Sequence, residues 1–227
     1  LEGRGIGVRT TWGMTEVPGA TRASLPPTAG EANKADIRKI ALSRQGRVGF
    51  QADLRIVDEE GNRLAHDGIA SGILQVRGPI VATRYVGESE DQAVEWLDTG
   101  DIATIYPDST IQIVDRAKDV IKSGGEWISS PQLEAAAASH PAVNLAAAVA
   151  APHPRWQERP FLLCTLNANQ EVSADALRQH MAQTLAKWWL PEDIKFIEEM
   201  PLTATGKINK VRLRQLYVQA STLEEKG

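Results

Sequence analysis

Residues 115–128 read Asp-Arg-Ala-Lys-Asp-Val-Ile-Lys-Ser-Gly-Gly-Glu-Trp-Ile, and the character of the sequence changes across them. Before this stretch, from Val48 to Val114, apolar and polar residues alternate with a period of two, which predicts short strands. After it, strand patterns alternate with helical ones, beginning with a Ser-Pro helix start at 130–131. We therefore expect two domains, 1–116 and 117–227.

The first domain is predicted to be rich in β-structure. Its strands are expected at Leu54–Ile56, Leu74–Val76, 102–106 and 110–114, with a hairpin turn at 107–109. Several short strands at regular spacing are typical of a small β-barrel or curled sheet. Residues 20–47 are rich in Pro, Gly, Ala and Lys, so they are expected to be irregular.

The second domain is predicted to be a compact α+β domain, which makes the whole chain a mixed α/β protein. Ser173 is expected to cap a helix with one apolar face, and a closing helix is expected at 209–218. That face holds Leu177, Met181, Leu185 and Trp188. Strands are expected at 143–151 (ended by Pro152), 161–166 and 194–197.

Composition excludes several classes of protein. Of the 227 residues, 42% are hydrophobic and 24% are charged, and the net charge of -4 gives no electrostatic basis for nucleic-acid binding. The longest apolar run, Leu145–Ala151, is far shorter than the roughly 20 residues of a membrane-spanning helix. The single Cys164 and four scattered histidines make no zinc site, and no secretion signal opens the chain. We expect a cytoplasmic protein with Cys164 as a small buried apolar residue.

Four short clusters combine glycine with charged or hydroxyl side chains. They are Thr-Trp-Gly-Met-Thr-Glu at 11–16, Leu-Asp-Thr-Gly-Asp at 97–101, the stretch at 115–128, and Pro-Leu-Thr-Ala-Thr-Gly-Lys-Ile at 201–208. Each cluster alone is ordinary turn chemistry. The last one is not a phosphate-binding Walker motif, because no glycine stands five positions before Gly206 and no Ser or Thr follows Lys207.

Taken in order, the four clusters resemble those in the C-terminal part of the adenylate-forming superfamily, which includes acyl-CoA synthetases, peptide-synthetase adenylation domains and firefly-type luciferases. The resemblance covers residues 5–217. Residues 121–130, 156–160 and 186–191 are similar to the bacterial medium- and long-chain fatty-acyl-CoA synthetases. The resemblance implies ATP-dependent activation of a fatty acid to an acyl-adenylate, followed by transfer of the acyl group to CoA.

The resemblance also implies residues for the adenylation step. Lys207 matches the adenylation lysine, a mobile ammonium that reaches the carboxylate and the α-phosphate. Glu16 matches the residue that holds Mg²⁺ on the phosphates, and Thr15 adds a hydroxyl nearby. The residue types alone leave an alternative role for each side chain. Lys207 is then a solvated loop lysine, and Glu16 is a capping or surface carboxylate.

A second set matches the nucleotide-binding positions of the superfamily. Trp12 would stack on the adenine, with Gly13 beside it, and Asp101 would accept both ribose hydroxyls. Arg116 would touch the ribose or the phosphate. The alternatives are a core tryptophan for Trp12, a turn aspartate for Asp101 and an ordinary salt bridge for Arg116.

A third set matches the residues of the thioester-forming step. Lys118 lies at the hinge position, about which the small domain rotates between an adenylate-forming and a thioester-forming pose. Lys122, Gly124, Gly125 and Trp127 belong to the loop presented to CoA in the second pose, where missing side chains let the pantetheine arm approach the backbone. Plain packing is the alternative for Trp127.

The chain is expected to be part of a longer protein. Residues 1–8 read like the interior of a domain, and the resemblance places the phosphate loop and most of the acyl pocket before the motif at 11–16. The co-substrates implied are ATP with Mg²⁺, a fatty acid and CoA. Two other readings stay open: another adenylate-forming enzyme, such as an aryl-CoA ligase or a carrier-protein loader, and a non-catalytic truncated interaction module. A homo-oligomer is one of the assembly states that the sequence allows.

Overall fold

The protein divides into two compact units, Leu1–Ala117 and Lys118–Gly227. The structure, a computed structural model, describes residues 9–22, 34–87, 89 and 94–219. The first unit is called unit 1 and the second unit 2. Within the described residues, no helix is long and apolar enough to cross a membrane.

Unit 1 is built on a four-stranded antiparallel sheet in the order β3-β4-β5-β6. A short antiparallel pair, β1-β2, lies outside this sheet. The elements are β1 Thr21–Arg22, α1 Lys34–Ser43, β2 Arg47–Val48, β3 Asp53–Val57, β4 Ser71–Arg77, β5 Leu97–Ile105 and β6 Ile111–Arg116.

The four strands predicted for unit 1 are present as β3 to β6, although β5 begins at Leu97, five residues before its predicted start, and so includes the cluster at 97–101. The alternation of apolar side chains matches their burial. Leu54, Ile56, Leu74 and Val76 are all buried in one core. Among the described residues, β3 and β6 are the two edges of an open sheet, so the barrel-like closure stays a prediction.

One prediction for unit 1 is wrong. Residues 34–43 form helix α1 where an irregular segment was expected. The spacing of Ile37, Ile40 and Ala41 places apolar residues on one helical face. The neighbouring Pro- and Gly-rich composition obscures this short pattern, and residues 23–33 lie outside the described part.

Unit 2 is built on a five-stranded sheet in which β10 is central. Strand β10 pairs antiparallel with β9 and β7 and parallel with β11, and β7 and β8 form a hairpin. The strands are β7 Ile121–Ser123, β8 Glu126–Ile128, β9 Val143–His153, β10 Gln157–Leu166 and β11 Asp193–Phe196. The helices are α2 Ser130–Ala138, α3 Ala174–Met181, a 3-10 helix Lys187–Trp189, and α4 Lys210–Leu213 continued by a π-helix Arg214–Gln219.

Alternate residues of β10 enter two separate cores. Leu162 and Cys164 pack with α2 and α3, while Leu163 packs with Leu213 of α4. Because successive side chains of a strand point to opposite faces, the sheet is covered on both sides. The expectation of a buried Cys164 is confirmed, since its side chain is fully buried.

Three local details of unit 2 correct the predictions. The cap of α2 is Ser129, whose side chain accepts a hydrogen bond from the Gln132 N–H, so it precedes the predicted Ser130 by one residue. Strand β9 runs through Pro152; it pairs only with β10 among the described strands, and an edge strand tolerates a missing N–H. Trp188 is 46% exposed, because α3 ends at Met181 and the chain then leaves the helical face.

Burial of Cys164 predicts a pH-dependent loss of stability. Burial raises the pKa of the thiol to about 12, against about 8.5 for a free cysteine. The stabilisation is complete below pH ~8.5 and is lost as pH rises towards 12, because the unfolded thiol ionises first. At pH 10 the wild type should have lost about 2 kcal/mol relative to Cys164→Ala, compared with their difference at pH 7. Urea unfolding at both pH values measures this; a pH-independent difference would contradict it.

Candidate active site

The carboxylate of Asp101 is the centre of the candidate nucleotide site in unit 1. Its Oδ2 accepts a hydrogen bond from the Trp12 Nε1–H at 2.9 Å, and its Oδ1 lies 3.0 Å from Arg116 Nε. Asp101 is only 4% exposed, whereas the Arg116 side chain is 56% exposed. The structure thus brings together three of the four predicted nucleotide-binding residues around one buried carboxylate.

Strand pairing and a turn explain why Asp101 stands at this place. Asp101 pairs with Arg116 across β5 and β6, so the ion pair follows from the register. Gly100 has φ 68°, a conformation that favours glycine, and its N–H donates to Asp98 Oδ1 at 2.8 Å. The Asp98 side chain therefore stabilises its own turn by accepting this hydrogen bond.

Two hydrogen bonds with Thr21 hold the backbone of Trp12. Its N–H donates to Thr21 Oγ1 at 2.7 Å, and its carbonyl accepts from the Thr21 N–H at 3.2 Å. The side chain is 8% exposed and belongs to the core of unit 1. Within unit 1 the indole is therefore both a core side chain and a hydrogen-bond donor to Asp101; adenine stacking stays a prediction.

Glu16 lies beside a small cavity. Tyr85 donates its hydroxyl proton to Glu16 Oε1 at 2.9 Å, and both residues line a cavity of about 130 Å³. The turn before Glu16 needs a glycine, because a Cβ on Gly13 would lie 2.7 Å from the Gly19 nitrogen. Thr15 is exposed on the same turn.

The side chains near Glu16 fit a magnesium ion that is held mainly by a nucleotide. The described residues contain no cluster of three or more His, Cys, Asp or Glu that could hold a metal ion. Mg²⁺ keeps several waters and is commonly bound by one or two carboxylates together with substrate phosphates. A single carboxylate at a cavity, oriented by Tyr85, matches that donor set.

Lys207 projects from a tight turn of unit 2. The Thr203 N–H donates to the Lys207 carbonyl at 2.7 Å, and the Lys207 N–H donates to Thr203 Oγ1 at 3.2 Å. Gly206 has φ 78°, which allows the turn to close. The backbone of the turn is thereby fixed while Lys207 itself is exposed.

Gly124 and Gly125 form the turn of the β7–β8 hairpin. Both have positive φ, 60° and 86°, as a two-residue type I′ turn requires. Lys122 and Trp127 face each other across this hairpin and are half-buried. The structure thus places all four predicted CoA-loop residues on one hairpin, and their contact with CoA stays a prediction.

Residues without a predicted role hold this hairpin in place. The Gly124 N–H donates to the Trp156 carbonyl at 3.0 Å, and the Lys122 N–H donates to Glu158 Oε2 at 2.8 Å. Arg159 Nη1 donates to Ser123 Oγ at 3.1 Å. The stretch at 156–160 was singled out only for its resemblance to one branch, so sequence reasoning missed this contact role.

Tyr85 beside Glu16 was missed too, because nothing in the sequence links positions so far apart.

The predicted residues fall into separate groups within the two units. Unit 1 holds two groups of contacting residues. One is Trp12 with Asp101 and Arg116, and the other is Glu16 with Tyr85. Lys118, the first residue of unit 2, is exposed.

The Trp12–Asp101 hydrogen bond yields a quantitative prediction. Trp12→Phe keeps an aromatic ring but removes the donor to a buried carboxylate. A double-mutant cycle of Trp12→Phe with Asp101→Ala should give a coupling free energy of about 1.5–3 kcal/mol, the usual range for a hydrogen bond to a charged group. Urea unfolding followed by fluorescence of the remaining tryptophans measures it.

A matched cycle provides the control. Asp58 is a turn carboxylate that bonds Asn62, so Trp12→Phe with Asp58→Ala should be additive to within about 0.5 kcal/mol. Equal coupling in the two cycles would refute a specific Trp12–Asp101 interaction.

Comparison with known proteins identifies relatives of the chain. Residues 132–207 match the AMP-binding enzyme C-terminal domain family. The chain is 38% identical over 220 residues to 3-methylmercaptopropionyl-CoA ligase of Ruegeria lacuscaerulensis, covering 96% of this chain and 41% of the relative. It is 40% identical over 216 residues to medium-chain-fatty-acid–CoA ligase of Ectopseudomonas oleovorans, covering 94% and 39%.

A solved structure extends the likeness to the fold. The o-succinylbenzoate CoA synthetase of Bacillus subtilis, in complex with its acyl-adenylate intermediate, is 26% identical with a TM-score of 0.74. The match covers 90% of this chain and 40% of that one. The chain thus spans about two fifths of the length of the proteins it matches. These matches show that the homologues of the chain are acyl-CoA ligases of the adenylate-forming superfamily and that the chain matches their C-terminal portion.

Proposed function

We propose that this chain is the C-terminal portion of an AMP-forming ligase that activates a fatty acid with ATP and transfers it to CoA. The observation that carries the proposal is the buried Asp101 carboxylate, oriented between Trp12 and Arg116. An ionised carboxylate held on two sides can accept hydrogen bonds from the two hydroxyls of a ribose. The family relationship supplies the reaction class.

The first step joins the fatty acid to AMP. A carboxylate oxygen of the acid attacks the α-phosphorus of ATP, and the bond to pyrophosphate breaks. Negative charge gathers on the α-phosphate, so a positioned cation lowers the barrier. We assign this cation to Lys207, whose turn fixes the backbone and leaves the ammonium exposed. Glu16, with Thr15 nearby, would hold the Mg²⁺ that neutralises the phosphates.

The second step forms the thioester. The CoA thiolate attacks the acyl carbonyl carbon, and the bond to AMP breaks. In our proposal the hairpin of Lys122, Gly124, Gly125 and Trp127 is presented to CoA in this step. Its exposed turn and its fixed backbone support that role.

We propose that residues 1–116 are the end of the large AMP-binding domain and that 117–227 are its mobile C-terminal domain. Lys118 would be the hinge between the adenylate-forming and thioester-forming poses. The expected partners are ATP, Mg²⁺, a fatty acid and CoA, in the cytoplasm. The relative that acts on medium-chain fatty acids supports a fatty acid as substrate.

A ligase for another acid is the second candidate, supported by the similarity to the 3-methylmercaptopropionyl-CoA ligase. The two candidates differ in the acid that is used. On the family resemblance most of the acyl pocket precedes residue 11, so a panel of acids must be tested on a protein that contains that pocket.

A chimaera tests the proposal. This chain would replace the matching segment of the Ectopseudomonas oleovorans medium-chain ligase. The chimaera should catalyse pyrophosphate exchange that depends on a fatty acid, while the 227-residue chain alone should not, because substrate positioning is lost. A chimaera that unfolds cooperatively yet gives no exchange would contradict the proposal.

Lys207→Ala in the chimaera should slow adenylation by about 10²- to 10³-fold, as removal of one preorganised donor does. Thioester formation from a supplied acyl-adenylate should stay near the parental rate. Lys187→Ala, which removes another exposed lysine of unit 2, is the matched control and should leave both steps unchanged. Equal losses in both half-reactions would refute the assignment of Lys207 to the first step.

Lys118→Pro tests the hinge. Proline fixes φ near -65° and removes an N–H, so the variant should hold the small domain near one pose. We expect the CoA step to fall by orders of magnitude while adenylation survives. Lys118→Ala leaves the backbone free and should be much milder. A folded proline variant that keeps both half-reactions would exclude Lys118 as the pivot.

A further inference from the structure

The junction between the units begins after the last backbone group that is hydrogen-bonded within unit 1. It ends at the first backbone group that is hydrogen-bonded within unit 2. In unit 1, β6 ends at Arg116, and the Ala117 N–H donates to the Gly100 carbonyl at 2.9 Å. The peptide plane between Arg116 and Ala117 is therefore part of unit 1, since a peptide bond is rigid.

In unit 2, the first fixed backbone group is the carbonyl of Lys118. Arg214 Nη2 lies 3.0 Å from this carbonyl oxygen and 2.6 Å from Asp119 Oδ1. Only 23% of the Arg214 side chain and 15% of the Asp119 side chain are exposed. The next residue, Val120, is buried in unit 2.

We propose that Arg214 is a positioning residue that fixes the start of unit 2 and so confines the hinge to two residues. With one peptide plane held by Gly100 and the next but one held by Arg214, the segment left to rotate consists of φ and ψ of Ala117 and Lys118, which lie in a turn over 117–119. Without Arg214, the free segment would extend to Val120. A longer free segment would let unit 2 adopt many orientations instead of two.

This role deepens the proposed function and rests on Lys118 as its hinge. An alternative is that Arg214 merely adds an ion pair that stabilises the π-helix. The two roles differ in what they protect. A structural ion pair supports all of unit 2, whereas a hinge clamp protects one peptide bond in particular, that between Lys118 and Asp119.

Limited proteolysis of the 227-residue chain separates them. Trypsin cleaves after Lys118 only when that carbonyl is released, so Arg214→Ala should speed this cleavage at least about tenfold. Cleavage after Arg116 is an internal control and should stay within about twofold, because the Ala117 N–H is held in unit 1. Mass spectrometry of the fragment pairs gives both rates, and Arg212→Ala, at an exposed position of α4, is the matched variant.

Asp119→Asn provides a second variant in case Arg214→Ala fails to fold. It removes the charge that faces Arg214 and leaves the contact between Arg214 and the Lys118 carbonyl. Cleavage after Lys118 should therefore rise several-fold while the melting temperature changes little. Cleavage after Lys118 that is unchanged in the folded variants, or that rises in parallel with cleavage after Arg116, would overturn the proposal. The assay needs no ligand, so its failure would leave the ligase proposal untouched, and an inactive chimaera would not affect its result.

Discussion

The antiparallel pairing of β9 with β10 is the constraint on which the architecture of unit 2 depends. It runs without a break from Gln157↔His153 to Thr165↔Leu145. Because β10 also pairs with β11 and β7, its backbone is hydrogen-bonded on both sides. The two cores form on the two faces of this pair, and the hairpin of β7 and β8 is joined to its end through Gln157↔Ser123.

One backbone group of the edge strand β9 is paired by a side chain. Glu134 of α2 accepts a hydrogen bond from the Ala148 N–H at 3.0 Å, which pairs a backbone group that a neighbouring strand would otherwise take. Lys210 lies 2.7 Å from the same carboxylate oxygen and donates to Ser130 Oγ at 2.6 Å. Since Lys210 follows Lys207 by three residues, this network ties the base of the Lys207 turn to α2 and to the sheet.

Elements governed by local rules could be predicted from the sequence, and those governed by distant contacts could not. The strands around Leu54 and Leu74 follow from alternation, and the cap at Ser173 follows from its hydroxyl, which accepts from the Ala176 N–H at 3.1 Å. The persistence of β9 through Pro152 depends on its being an edge strand, which only the complete sheet determines. The same holds for the site: motif positions were recognisable, but the pairing of Trp12 with Asp101 joins residues 89 positions apart.

The two hairpin glycines meet a structural requirement at the positions for which we propose contact with CoA. Positive φ requires glycine at both positions whatever the loop binds. At Gly124 the space of the missing side chain is already taken, because a Cβ there would lie 2.9 Å from the Trp156 ring. At Gly125 a Cβ would meet nothing within 4 Å. Absence of a side chain at Gly124 therefore serves packing within unit 2. Only at Gly125 does it leave open backbone, and that is the position where an extended ligand arm has room to approach.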